Sequence, residues 1–151
     1  MTERETTRLV AWSNKLLRAH ARLRAALRTT RTALIDGGPP VVSRDLLLHC
    51  RGFCTALGEH HRGEDRTLFP AIEAERPELA PVLRKLEQDH SMIAFLVAEL
   101  DAALQRHVHA DEIDRHLDGV AAIMENHFAY EERQLLNVLK TLALPVDPRE
   151  P

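Results

Sequence analysis

The chain has 151 residues, 44% of them hydrophobic and 28% charged, and 20 Lys and Arg against 23 Asp and Glu give a formal net charge of −3. This length fits one domain, residues 1–151, and the nearly balanced charge argues against a dedicated nucleic-acid binder. The longest apolar run has seven residues, which is too short to span a bilayer. The first residues are polar rather than typical of a signal peptide, and two cysteines form no disulfide framework, so we expect a cytoplasmic protein.

Helix-forming residues dominate the chain between a few clusters of helix breakers. The clearest break is the run of glycines and prolines at 37–40, and Pro70 and Pro77 mark a second one. Asp111 is suited to cap a further helix, and no segment alternates as a β-strand does. The breaks predict four helices followed by a tail at 143–151, the helices lying at roughly 5–36, 43–69, 78–107 and 111–142. Four helices with short connections predict an all-α, antiparallel up-down-up-down four-helix bundle.

An internal repeat matches the first helix with the third and the second helix with the fourth. The matched residues are histidines and carboxylates: a shift of 67 places His60 on His127, Glu64 on Glu131 and Asp65 on Glu132, and a shift of 70 places His20 on His90. Most other positions differ between the halves. The repeat therefore predicts two helix hairpins related by a pseudo-twofold axis.

The matched histidines and glutamates are predicted to point into the bundle. His60 and Glu64 are four residues apart and share a helical face, and the lone His20 and His90 interrupt stripes of aliphatic residues. A single buried histidine is more often a core residue than a ligand, but an unpaired buried carboxylate is costly. Imidazole and carboxylate donors together suit iron, manganese or zinc. The repeat thus predicts a metal site, two ions being its natural stoichiometry, with the donors His20, His60, Glu64, His90, His127 and Glu131.

These residues resemble the hemerythrin-like, or HHE cation-binding, family. The sequence HHRGEDRTLFP at 60–70 is similar to the family's second-helix signature, and Asp89-His90 and residues 127–132 fit its third and fourth helices. The resemblance extends over about residues 9–142, which is nearly the whole chain.

The resemblance implies a non-heme di-iron centre. The two glutamates would bridge the irons and the histidines would bind in pairs: Glu64 and Glu131 as bridges, His20 and His60 on one iron, His90 and His127 on the other. Manganese and zinc are possible substitutes for iron. No catalytic constellation separate from this metal site is evident in the sequence.

One departure from the family concerns the third helix. Oxygen-carrying hemerythrins have a second histidine one turn from the first, whereas the turns beside His90 carry Leu86 and Ala94. The resemblance therefore implies an open coordination position, which favours reaction with, or sensing of, O2, peroxide or NO over oxygen carriage. Such a protein would be an enzyme if it decomposed peroxide. The alternatives are an iron-handling or redox-signalling module without turnover, and a bundle whose polar core is purely structural.

A second pair in the same helix, His61 and Asp65, is predicted to lie outside the ligand set. His61 lies about 100° around the helix from His60, so the two should not face the same core. The repeat also places His61 on Phe128, which cannot bind a metal. We therefore expect His61 to be half-exposed and, at most, a neighbour of the metal ligands.

Five further residues receive lesser roles. His49 and His116 lie eleven residues before the ligand histidines of their helices, on the same face but roughly 16 Å away, so they are predicted to form a polar pair at one end or a proton or access route. Tyr130 is interpreted as a packing residue, a support for its neighbouring ligand or an extra oxygen donor, and Cys50 and Cys54 as apolar packing residues. The expected partner is a small molecule, and a protein partner or a homodimer stays open.

Overall fold

The computed structural model describes residues 3–36, 44–106 and 109–141 of the chain. Within these ranges the regular elements are helical and none is a strand: α1 (Glu3–Asp36), α2 (Arg44–Gly63), a π-helical turn (Glu64–Leu68), α3 (Phe69–Glu75), a 3-10 turn (Pro77–Leu79), α4 (Ala80–Gln105) and α5 (Ala110–Thr141). The predicted all-α class is confirmed. The predicted break at 37–40 and the tail at 143–151 lie outside the described residues. None of the described helices combines the length and the apolar character that a membrane span requires.

The second helix of the bundle continues from Arg44 to Glu75 through α2, the π-helical turn and α3, past its predicted end at residue 69. Within the π-helical turn, the Phe69 N–H donates to the Glu64 carbonyl five residues earlier. Pro70 then falls in the first turn of α3, where a missing N–H costs no hydrogen bond. The prediction is wrong at this end because it assumes uniform α-helical hydrogen bonding.

The four helices enclose one interior. α1 packs against α2 and α5, and α4 packs against α5 and more sparsely against α2 and α3. Each helix turns an apolar stripe inward because its aliphatic residues recur every three or four positions. On α4, for example, Leu83, Leu86 and Ile93 are at most 1% exposed. The arrangement is a four-helix bundle.

Two apolar clusters fill this interior, one on each side of a polar layer. The first cluster includes Leu23, Leu27, Phe53, Leu57, Ile93, Leu100, Leu117, Met124 and Phe128. The second cluster includes Trp12, Leu16, Leu68, Phe69, Ile72, Leu83, Leu86, Leu135 and Leu139. On α1, His20 lies between Leu16 of the second cluster and Leu23 of the first. On each of the other helices the donors likewise lie between residues of the first cluster and residues of the second. The predicted donors therefore occupy one layer between the clusters.

Candidate metal centre

The structure brings the six predicted donors together in the polar layer. His20 and Glu131 are fully buried, and of the six only His60 is more than 5% exposed, being half-buried. The possible ligand atoms form two groups, in each of which the atoms lie within 4.8 Å of one another. The first group contains His20, His60, Glu64 and Glu131, and the second contains His61, Glu64, His90 and His127. Because Glu64 belongs to both groups, they form one continuous site.

The carboxylate of Glu64 lies between the two hairpins. Its Oε1 is 3.5 Å from His60 Nε2 and 3.2 Å from His90 Nε2. His60 belongs to the first hairpin and His90 to the second. A single oxygen of Glu64 is therefore close to histidines from both halves of the repeat.

The carboxylate of Glu131 has the equivalent position on the other side of the site. Its Oε1 is 3.3 Å from His20 Nε2, and its Oε2 is 3.4 Å from His127 Nε2. Its two oxygens thus reach one histidine of each hairpin. Each glutamate therefore lies between histidines of both hairpins.

Carboxylates at the edge of the site orient three of the histidines. Each of these rings donates its Nδ1 proton to one carboxylate: His20 to Glu132 (2.8 Å), His90 to Asp65 (2.7 Å) and His127 to Asp89 (3.1 Å). Since a carboxylate only accepts, the Nε2 lone pairs point into the site, and partners of this kind fix the rings of metal-binding histidines. Asp65 lies outside the two donor groups, as predicted, but it contacts His90 from the edge of the site, a role that was not predicted. The match between Asp65 and Glu132 in the repeat was the signal for this role.

The donor atoms that face inward lack hydrogen-bond partners among the described residues. These atoms are His20 Nε2, His60 Nε2, His61 Nε2 and both carboxylate oxygens of Glu64 and of Glu131. His90 Nε2 and His127 Nε2 face each other at 3.1 Å, so their lone pairs repel each other whenever both rings are neutral and donate from Nδ1. A cation between such atoms removes the repulsion and the cost of burying them.

The distances between donors also fit a bound metal. Atoms that bind one ion at about 2.0–2.2 Å are themselves roughly 2.8–3.6 Å apart. Within the cluster, the separations from histidine Nε2 to another Nε2 or to a glutamate oxygen run from 3.1 to 3.5 Å. The chemistry, the spacing and the missing hydrogen-bond partners therefore agree with a metal site.

Burial and the proximity of the two carboxylates set the charges in the site. Burial and the charge of Glu131 raise the pKa of Glu64 well above its usual value. Although burial opposes it, the proximity of Glu64 and His127 holds the pKa of Glu131 well below its usual value. Burial lowers the pKa of His60 to about 4 and that of His90 to about 3. These two imidazoles are therefore neutral at pH 7, which is the state that binds a metal.

His61 lies inside the site, and the expectation of a half-exposed His61 is wrong. Its side chain is 5% exposed, and its ring stacks on that of His90 with centroids 3.9 Å apart. The second helix has neighbours on two sides: the His60 ring lies 5.4 Å from that of His20 on α1, whereas His61 faces α4. An inward face about 100° wide accommodates two consecutive residues, which the argument from helical rotation overlooked.

The remaining candidates lie outside the cluster. His49 is exposed and His116 is half-buried, and neither belongs to the two donor groups, so their predicted polar pair or access role stays a prediction. Tyr130 packs beside the second apolar cluster, with a lysine ammonium 4.7 Å from its ring centroid, which supports the packing interpretation. Cys50 and Cys54 are free thiols that pack in and against the first apolar cluster, as predicted.

The site is reached from one side by a cavity of about 500 Å³ between α1 and the second helix. His60 and Glu64 are among the residues that line this cavity. His60 is half-buried rather than buried because its side chain lines this cavity. His127, the equivalent residue of the second hairpin, is only 2% exposed.

Comparison with known proteins assigns the family. No curated protein and no solved structure gives a significant match to the chain. The domain family described as Hemerythrin HHE cation binding domain matches residues 13–139, a range that contains every donor of the cluster. The chain therefore belongs to the hemerythrin HHE cation-binding family, and its His and Glu cluster is the candidate cation site.

Proposed function

We propose that this protein is a non-heme di-iron protein that reacts with, or senses, O2, peroxide or NO in the cytoplasm. The observation that carries the proposal is the cluster itself: inward donor atoms without hydrogen-bond partners, at the spacing of metal ligands, in an otherwise apolar interior. The family assignment supports cation binding, and the nitrogen and oxygen donor set suits iron, with manganese or zinc as substitutes.

The proposed ligand set has seven members rather than the six expected from the sequence. His20 and His60 would hold one iron, His61, His90 and His127 the other, and Glu64 and Glu131 both. His61 would supply the donor that α4 lacks, since Leu86 is buried among apolar residues and Ala94 is exposed. The open coordination position would then lie on the side of His20 and His60, the side that the cavity reaches.

When bound, the iron pair supplies two adjacent redox-active ions that exchange electrons with a small oxidant. The chain holds the site in place and shields it from water on the two sides covered by the apolar clusters. Glu132, Asp65 and Asp89 fix the imidazole rings through Nδ1, and the two apolar clusters exclude water above and below. In the metal-free protein, the raised pKa of Glu64 lets one proton offset the second buried carboxylate.

The proposal includes the antiparallel course of the helices and a single domain. The order of ion pairs between α1 and α5 supports the antiparallel course, because successive positions on α1 pair with decreasing positions on α5. These pairs are His20 with Glu132, Arg24 with Glu125 and Arg31 with Asp118. A protein partner or self-association would be needed for signalling, since the described helices are all used to build the bundle.

The test is to load the protein with Fe(II) without oxygen and to measure iron per chain and the ultraviolet–visible spectrum before and after exposure to O2, hydrogen peroxide or NO. We expect about two irons per chain and new oxo-bridged ferric absorption on oxidation. Less than one iron per chain would overturn the proposal. Full iron loading without reaction toward any of the three would identify an iron-handling or redox-signalling module instead.

His61→Ala distinguishes the seven-ligand set from the six-ligand set. We expect this variant to bind the ion at His90 and His127 more weakly and to show an altered spectrum, because that ion would lose one of its three histidine ligands. His49→Ala is the matched control, since His49 lies on the same helix but is exposed. Unchanged iron content and spectrum in His61→Ala would mean that His61 is not a ligand and only lies beside the six-residue set.

A further inference from the structure

The cavity between α1 and the second helix is built for a ligand larger than a diatomic gas. Its volume of about 500 Å³ lies within the range of about 300–1,000 Å³ that is typical of small-molecule sites. Its walls are mainly apolar and include Trp12, Leu16, Leu23 and Leu68. O2, peroxide and NO need only a small fraction of this space.

The cavity exists because the first hairpin carries small residues where the second hairpin carries large ones. Four lining residues and their equivalents in the repeat show the difference: Ala19 corresponds to Asp89, Ala26 to Leu96, Ala56 to Ile123 and Gly63 to Tyr130. Leu96 and Ile123 pack against the first apolar cluster, and Tyr130 packs against the second. The donor residues match between the hairpins, whereas the residues beside them differ in size.

The polar groups of the cavity lie at its two ends. Glu64, which is 4% exposed, and His60 form the inner end, and His60 Nε2 and the Glu64 oxygens have no hydrogen-bond partner in the described chain. Lys15, Arg22 and Glu59 also line the cavity, and Arg22 and Glu59 are exposed, which places them toward the mouth. Outside the His and Glu cluster, the charged lining residues are thus the cations Lys15 and Arg22 and the carboxylate Glu59, a balance that favours the approach of an anion.

We propose that this cavity binds an amphipathic organic monocarboxylate, with its apolar body between Trp12 and Leu23 and its carboxylate at the inner end beside His60 and Glu64. The volume suits a body on the order of ten to fifteen non-hydrogen atoms. The position of the carboxylate rests on the proposed iron site, because the buried glutamates leave the metal-free cluster without a net positive charge to attract an anion. The binding of the apolar body does not rest on it.

Decanoate is the probe, and Trp12 is the reporter because it is the single tryptophan of the chain and lines the cavity. We expect decanoate to change the Trp12 fluorescence saturably and to bind at least tenfold more tightly to the iron-loaded protein than to the metal-free protein. 1-Decanol, which lacks the charge, should bind without this dependence on iron. Equal iron dependence of decanoate and decanol would overturn the placement of the carboxylate at the inner end.

A variant that fills the cavity tests its location. Ala26→Leu with Ala56→Ile introduces the residues of the second hairpin at the equivalent positions, and we expect at least tenfold weaker binding with iron content unchanged. Leu96→Ala with Ile123→Ala makes the reverse change in the other hairpin and should leave binding as it is. Ala26→Leu alone serves if the double variant does not fold. Unaltered binding in the filled variants would overturn the proposal.

Failure of the iron site and failure of this proposal are distinguishable. Suppose that no iron binds, but decanol and decanoate still change the Trp12 fluorescence of the wild type and not that of the filled variant. The cavity would then be a ligand site, and the proposed di-iron function would be wrong. If iron binds and reacts but neither probe produces a saturable change, the organic-ligand site falls and the iron site stands.

Discussion

The two helix hairpins carry matching candidate donor residues in different surroundings. In the second hairpin, His127 is 2% exposed and donates to Asp89. In the first hairpin, the equivalent His60 is half-buried beside a cavity, and the position that matches Asp89 is occupied by Ala19. The comparison teaches that the two halves of a duplicated fold can keep equivalent donor residues and yet differ around them. In this protein the second hairpin gives its histidine a carboxylate partner, and the first hairpin exposes its histidine to a cavity.

Replacement of the two glutamates tests the equivalence of the hairpins with the largest expected effect. Glu64→Gln and Glu131→Gln should each remove most of the iron, because each carboxylate lies between histidines of both halves. In the metal-free protein the two should differ. Glu131 is stabilised as the anion, so Glu131→Gln should lower the free energy of unfolding by about 1–3 kcal/mol, whereas Glu64 is already protonated and its replacement should change little.

Iron analysis and chemical denaturation with and without a chelator measure both effects. Glu59→Gln is the control, since Glu59 is exposed one residue before His60. Full iron content in either variant of the two buried glutamates would contradict their placement between the ions.

The outer carboxylates give a smaller effect that sharpens the comparison. Asp65→Asn and Asp89→Asn should each weaken iron binding by about 10–100-fold, because the ring of a metal-binding histidine loses the partner that orients it. Competition with a chelator measures the change. Asp118→Asn is the matched control, since Asp118 is exposed and pairs with Arg31 on the surface. Affinities equal to that of the wild type would mean that the rings are held by packing alone.

The smallest expected effects concern the reactivity of the two cysteines and their contribution to stability at high pH. Burial raises the pKa of Cys50 to about 12, and burial and the charge of Asp101 raise that of Cys54 to about 11. Both thiols should therefore be alkylated slowly by iodoacetamide at pH 8 and quickly once the chain is unfolded. Their raised pKa values stabilise the fold below about pH 9, and this contribution is lost as the pH rises toward 12.

The second hairpin supplies a control for the cysteines, because its equivalent residue to Cys54 is Ala121. Cys54→Ala should change stability at pH 7 by no more than about 1 kcal/mol and should reduce the loss of stability above pH 9. Rapid alkylation of the folded protein at pH 8 would contradict the packing role.

The sequence was sufficient to predict the helices and six members of the cluster, because the spacing of His and Glu repeats within the chain itself. His61 does not follow from helical rotation alone, because the second helix lies between α1 and α4 and therefore has two inward directions. The end of that helix was missed because Pro70 is a reliable breaker only in an α-helix with uniform hydrogen bonds.

The cavity could not be predicted at all. Its lining comes from α1 and the second helix, and Ala19 or Gly63 has no meaning as a lining residue until these two helices are placed side by side. The supporting role of Asp89 was hidden for a related reason: its repeat partner is an alanine, so a comparison of the two halves gives it no weight.

The π-helical turn has a further consequence for how much a single helix can do. A π-helical turn advances through a smaller angle per residue than an α-helix, so the direction of the side chains shifts between its two ends. A single continuous helix can therefore direct the side chains before the turn toward one neighbouring helix and those after it toward another. In this protein the change of direction begins at Glu64, the carboxylate that lies between histidines of both hairpins.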